Sequence, residues 1–463
     1  MFLTDSARLA RLRIVRGIVV LGLASVASSN GIAQSPNRGP TVWNQLRNSY
    51  DNAGAIPGTL SVSWSYKAPQ RVRGISVAGN LVVVGTEPPG ADVDYPTENS
   101  PGSVIAIDLR SGREVWMREM PSWVHGDPAI YHDRVFATFG RVPAAASQGG
   151  LYALDAKTGK TIWTFETASG IMPGPYVDTA QSTVTIVGGD AALYFLDASS
   201  GVLRGAWGLH AGDDMSSPHV DTTGVLFVGS GLRVTAYSMR EHRLRWSTKL
   251  TDELSIADIP VAVGEKSVFT TGTRLVGIKA AFHVLPLTEF FSLARASARL
   301  HPISRSATWF AEQDLIALDK HTGNQLWARP LGTGLPIARN HSGAPVIAGS
   351  RVIVASPASK KVFAFDIASG ARVWVRTLDD VPKGPVTIVG EDVIVVGGGG
   401  QLTMLRLTDG SVLGSCRAAG FTVTTPVVVG QTLFAATSDH WLYARPYDDF
   451  RKRVTSPGSK ACF

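Results

Sequence analysis

The chain has 463 residues, 44% apolar and 17% charged, with 48 Gly and 26 Pro, a balance suited to large buried sheets and many turns. Its formal charge of +7 falls to about +4 without the first 33 residues, a mild excess spread along the sequence. Such an excess makes no case for nucleic-acid binding.

The chain opens as an export signal. Arg8, Arg11, Arg13 and Arg16 precede an apolar run from Gly17 to Val26, and small residues follow, with cleavage expected after Ala27 or Ala33. The run is too short for a comfortable membrane span. No cysteine lies near the cleavage region, so a lipid-anchored lipoprotein is not supported. Residues 1–33 are therefore expected to be a cleavable signal peptide and 34–59 a lead-in, placing the mature chain in the periplasm or outside the cell, with no integral span.

The next element is Val62-Ser63-Trp64-Ser65-Tyr66-Lys67, which reads as a lone strand carrying a tryptophan. After it, a motif close to Ala-x-Asp-x-x-(Thr/Ser)-Gly-x-x-x-Trp recurs. Clean copies place Asp108, Asp155, Asp319 and Asp366 four residues before Gly112, Gly159, Gly323 and Gly370, and eight before Trp116, Trp163, Trp327 and Trp374. Asp197 with Gly201 has its tryptophan late, at Trp207, and Ser238 with Trp246 puts His242 in the glycine position. Lys279, Arg406 with Gly410, and Pro446 mark weaker units. The tally is nine units at intervals of 40 to 47 residues, a period typical of solenoids and propellers. Each unit holds β-type runs such as Val352-Ile353-Val354-Ala355 and Lys361-Val362-Phe363-Ala364-Phe365 between Gly/Pro punctuation. With the tryptophan stretch as fourth strand, a unit of about forty residues is an antiparallel meander, and radial stacking of such sheets makes a β-propeller.

The motif has a structural reading. Asp at the end of the third strand accepts hydrogen bonds from the following turn, Gly supplies positive φ, and Trp on the outermost strand wedges between neighbouring sheets. The last unit has three strands and then runs out, so the strand around Trp64 is expected to complete it and close the ring. The propeller is expected over 60–447, with a tail over 448–463.

The run Leu151-Tyr152-Ala153-Leu154-Asp155-Ala156-Lys157-Thr158-Gly159-Lys160-Thr161-Ile162-Trp163 resembles the repeat of the PQQ-like (pyrroloquinoline-quinone-type) β-propellers over about residues 60–447. The resemblance implies eight blades, against nine units counted, and makes the degenerate stretch 258–310 the suspect. The family includes quinoprotein alcohol dehydrogenases and non-enzymatic, BamB-like periplasmic propellers. The enzyme branch implies PQQ, Ca²⁺ and an adjacent Cys-Cys ring; this chain has only Cys416 and Cys462. Cys-x-x-Cys-His, His-Glu-x-x-His and Gly-x-Ser-x-Gly are absent too. The expected function is thus that of a monomeric, non-catalytic scaffold that binds an envelope protein or other periplasmic ligand through its funnel face; the alternative is a PQQ-dependent oxidoreductase or another enzyme with its site in the funnel.

In either case, propeller topology directs attention to the loops entering each innermost strand, which meet at the central funnel. They carry Trp123, His125 and Asp127; His210, Asp213 and Asp214; Asp258; Arg339, Asn340 and His341; and Asp379, Asp380 and Lys383. Histidines with carboxylates there could hold a cation or an anion or move protons. Two long loops, Thr86–Ser103 with Glu87, Asp92, Asp94 and Glu98, and Gly140–Gly149, open on the same face. Phe282–Arg305 lacks the Asp-Gly turn and is read as a divergent blade. Cys416 and Cys462 are compatible with one disulfide or two free thiols, and Arg451-Lys452-Arg453 reads as a solvated tail.

Overall fold

The computed structural model describes residues 55–56, 58–87, 101–140, 149–209, 216–250, 260–277, 309–334, 343–420, 424–456, 458 and 461–463. These form eight antiparallel sheets arranged as a β-propeller. Blades 1 to 7 span 71–120, 129–167, 176–208, 219–249, 262–334, 346–377 and 387–417, each with four strands in sequence order. Blade 8 is built from Val427–Val429, Thr432–Ala436 and Trp441–Pro446, and Trp64–Lys67 adds its outer strand.

Ring closure through Trp64–Lys67 therefore holds, with Trp64 opposite Ala444 and Lys67 opposite Trp441. The N-terminal segment also reaches further than expected. Ala55–Ile56, in the anticipated lead-in, pairs in parallel with Val428 and Val429 at the inner edge of the same blade. Between these two strands, Gln431 donates its N–H to the Leu60 carbonyl and Val62 donates to Thr432 Oγ1. One short stretch thus borders blade 8 on both edges.

The count of nine units is corrected to eight. Ser267–Gly277 and Trp309–Asp319 are paired along eleven residues each, from Ser267 opposite Asp319 to Gly277 opposite Trp309. They are the second and third strands of blade 5, so the unit around Lys279 is no blade: it falls in an insertion between them. The second half of the long strand, Thr273 to Gly277, imitates an extra strand at the expected spacing.

The second and third strands of most blades are buried on both faces, as in Leu81–Glu87 and Gly102–Asp108, because a neighbouring blade covers each face. Eight apolar clusters form the core, one at each junction between blades. Six junctions share one latch. Trp64, Trp116, Trp163, Trp246, Trp327 and Trp374 each lie over the turn glycine of the next blade: Gly112, Gly159, Gly201, Gly323, Gly370 and Gly410. Apart from Trp163, their indoles donate to a carbonyl of that blade at 2.8 to 3.2 Å. In the turns, Asp155 Oδ1 accepts from the Lys157 and Thr158 N–H groups and the Thr158 hydroxyl, which holds its carboxyl below the usual range.

The latch explains why glycine is needed twice over. At Gly159, φ is 67° and a Cβ would lie 2.6 Å from the Trp116 ring. Gly159→Ala is expected to cost about 2–4 kcal/mol, combining left-handed strain with overpacking. Gly349→Ala, at φ 59° in open space, should cost only about 1–2 kcal/mol. Chemical denaturation of the two variants makes the comparison.

The expected solvated tail is also corrected. Tyr447–Thr455 is a helix, Arg451 pairs with Asp392 at 2.6 Å, and the Tyr447 hydroxyl donates to the same carboxylate at 2.8 Å. Cys416 and Cys462 are joined by a disulfide with a Cα–Cα distance of 5.2 Å. Among the described residues, no helix is long and apolar enough to cross a membrane.

Candidate functional site

The second strand of blade 1 ends at Glu87, and Arg71 at the start of the inner strand lies directly opposite it. A register shift between Val72 and Gly74 lets Arg73 step out of the ladder. Both arginines then reach the same carboxylate: Arg71 Nη1 lies 3.4 Å and Arg73 Nε 2.7 Å from Glu87 Oε1. His125, in the connection to blade 2, places Nδ1 3.7 Å from Glu87 Oε2.

This group is almost removed from water. The Glu87 side chain has 0% of its surface exposed, and those of Arg73 and His125 have 6% and 8%. Burial pushes the Glu87 carboxyl up, but the adjoining His125 and the charge of Arg73 outweigh it and hold the group down at about 2. Burial pushes the His125 imidazole down; Glu87 works against that, while the charges of Arg73 and Lys383 add to it. The result is a carboxylate ionised across the neutral range among two arginines and a histidine, with Lys383 close enough to be felt from the connection between blades 6 and 7. His440, in the second hairpin of blade 8, is pushed down by burial and by the nearby Lys67 and Arg71 charges.

The sequence-derived candidates divide accordingly. His125 and Lys383 share this electrostatic neighbourhood. Trp123 is buried, and its carbonyl accepts from the Gly140 N–H. Asp127 Oδ1 accepts from the Ile75 N–H at 2.9 Å, tying the interblade connection to the inner strand of blade 1. Asp380 similarly accepts from the N–H groups of Val381 and Gly399. His210, Asp213, Asp214, Asp258, Arg339, Asn340 and His341 lie outside the described residues, as do most of both long loops and Phe282–Arg305. Arg71 and Arg73 escaped sequence reasoning because they precede the first full motif. Their Arg-x-Arg spacing just after a Pro-Gln pair was the available signal. Glu87 was expected on the long loop Thr86–Ser103, whereas it ends a strand and is buried.

The cofactor of the dehydrogenase branch can be tested against these residues. Among the described residues, no three His, Cys, Asp or Glu side chains gather to hold a metal ion. The oxygens of Glu87 face guanidinium and imidazole groups. Both cysteines of the chain are joined to each other at the outer edge of blade 7, leaving none for a Cys-Cys ring. The described residues do not fit a PQQ and Ca²⁺ site.

A family model described as outer membrane protein assembly factor BamB, of the PQQ-repeat type, matches residues 29–204, 147–282 and 358–449. The chain belongs to this family. BamB from Moraxella catarrhalis has a similar structure, with a TM-score of 0.56 at 15% identity over 83% of this chain and 96% of that one. The quinohemoprotein alcohol dehydrogenase ADHIIG from Pseudomonas putida HK5 gives 0.57 at 14% identity, over 88% of this chain and 80% of that one. Both likenesses concern the fold. A tetrathionate hydrolase of Acidithiobacillus ferrooxidans is 26% identical over 138 residues, which are 28% of this chain. The match spans 27% of that relative's length.

Proposed function

We propose that this BamB-family propeller is exported to the periplasm, where it acts as a non-catalytic scaffold that engages an envelope protein through its funnel face. The observation that carries this reading is the state of Glu87. General acid–base work is most efficient when the group's pKa lies near the working pH, and Glu87 is held at about 2. With Arg71 and Arg73 always charged, the cluster is a buried, fixed-charge brace at the end of blade 1, which suits a rigid scaffold. The arginine-rich leader supports export, and the family supports a protein partner.

Mixing the mature protein with PQQ and Ca²⁺ while following tryptophan fluorescence and dye-linked alcohol oxidation tests the non-catalytic part. Neither saturable quenching nor turnover is expected; both together would replace this reading with a quinoprotein. The match to tetrathionate hydrolase supports a second reading, cleavage of a small sulfur oxyanion by this chain. Tetrathionate loss catalysed by the purified chain and abolished by Arg73→Ala would favour that reading over the scaffold.

A further inference from the structure

Two junctions depart from the tryptophan–glycine latch, and they do so differently. Between blades 3 and 4, Trp207 packs on Tyr237 with ring centroids 4.9 Å apart, and Tyr237 stacks on Phe195. Aromatic packing between the two blades fills the gap. Between blades 7 and 8 the sequence offers no such substitute, because Gly414 stands in the tryptophan register, eight residues after Arg406. The end of the C-terminal helix occupies this space: the nearest neighbours of a Cβ at Gly414 would be Val454 and Thr455.

The tail is part of the junction core. Tyr447, Phe450, Val454 and Cys462 belong to one buried cluster with Ile394, Met404 and Cys416 of blade 7 and Val428, Leu433 and Ala435 of blade 8. Asp392 of blade 7 anchors the helix through Tyr447 and Arg451. Ala461 bridges to Arg417 in parallel, and Cys462 N–H donates to the Arg417 carbonyl at 3.0 Å. Phe463 stacks on Tyr443 of blade 8 at 4.7 Å and on Phe450 at 5.9 Å. The disulfide therefore pins to blade 7 a segment whose last ring lies on blade 8.

We propose that the C-terminal segment is a redox-set latch, in which the Cys416–Cys462 bond performs at the junction of blades 7 and 8 the closing role that tryptophan performs elsewhere. The bond forms when the two thiols give two electrons and two protons to the disulfide of a thiol–disulfide oxidant, which departs as its dithiol. In a reducing compartment the latch is unset and the junction rests on the helix alone. On the export proposed above, arrival in an oxidising compartment then completes the ring.

The test uses the full mature chain, oxidised and after treatment with a thiol reductant, alongside Cys416→Ser/Cys462→Ser. A cross-link over 46 residues in a propeller of this size corresponds to a Tm fall of about 4 °C on reduction. Amide exchange in 412–417 and 447–455 should rise about tenfold or more, while blades 1 to 5 keep their protection. The double variant should match the reduced protein and ignore reductant. Unchanged Tm and exchange on reduction would overturn the proposal, and so would a loss of protection spread evenly over all blades. Reduction of folded wild-type protein keeps the test decisive if the variant does not fold.

Discussion

Deletion of residues 55–67 is expected to abolish cooperative folding. That stretch supplies the outer strand of blade 8 and the parallel pair at its inner edge. It also carries Trp64, which is 9% exposed, lies over Gly112 and donates to the Leu109 carbonyl at 2.9 Å. Without it, Trp441–Pro446 becomes an open edge in a ring with a missing latch, and exposed edges pair with other chains. The single substitution Trp64→Ala should already cost about 3–5 kcal/mol, the range for emptying a large aromatic site. Size-exclusion chromatography should show aggregation for the deletion, and thermal unfolding a lowered but still cooperative transition for Trp64→Ala. A monomeric deletion variant with wild-type Tm would mean that the blades hold together without closure.

The second large effect is expected at Glu87. Its folded pKa of about 2 lies below the ordinary carboxylate value, so its contribution is fully present above the unfolded pKa and is lost as pH falls through the folded one. The difference corresponds to roughly 3 kcal/mol, present above about pH 4.5 and gone near pH 2. Glu87→Gln removes the charge that pairs with Arg71 and Arg73, and breaking a buried pair from one side costs about 3–5 kcal/mol. Denaturant midpoints measured from pH 7 down to pH 3 should therefore converge for the two proteins as acidity rises. Parallel curves would show that this carboxylate is not the group being titrated.

The fold was legible where one residue does one local job. Asp155 and Gly159 announce a turn by spacing alone, because the turn depends on neighbours in sequence, and Trp163 announces a wedge because its partner, the turn glycine Gly201 of the next blade, follows at the repeat spacing. Blade number was less legible, since the stretch between Gly277 and Trp309 keeps the period intact while the described sheets number eight. Only pairing of Gly277 with Trp309 reveals that Ser267–Gly277 and Trp309–Asp319 are one long hairpin.

The site was harder to read for a related reason. His125 and Lys383 could be nominated because they occupy loops that topology sends to the funnel. Arg71 and Arg73 sit on an inner strand, where charged residues are unexpected; Arg71 meets Glu87 by direct pairing, and the register shift brings Arg73 to it. The tail misled through composition: Arg451-Lys452-Arg453 looks solvated until Asp392, some 59 residues away in sequence, is found beneath Arg451.

The claim that the funnel face is the binding surface is tested most directly by photo-crosslinking in the intact cell envelope. A photoreactive side chain would be placed at Asp379, exposed in the connection between blades 6 and 7, and separately at Val202, 63% exposed on the outer rim of blade 3. A discrete protein adduct from position 379, absent from position 202 and weakened by Arg73→Glu, is the expected result. Adducts from the rim with none from the funnel face would contradict it.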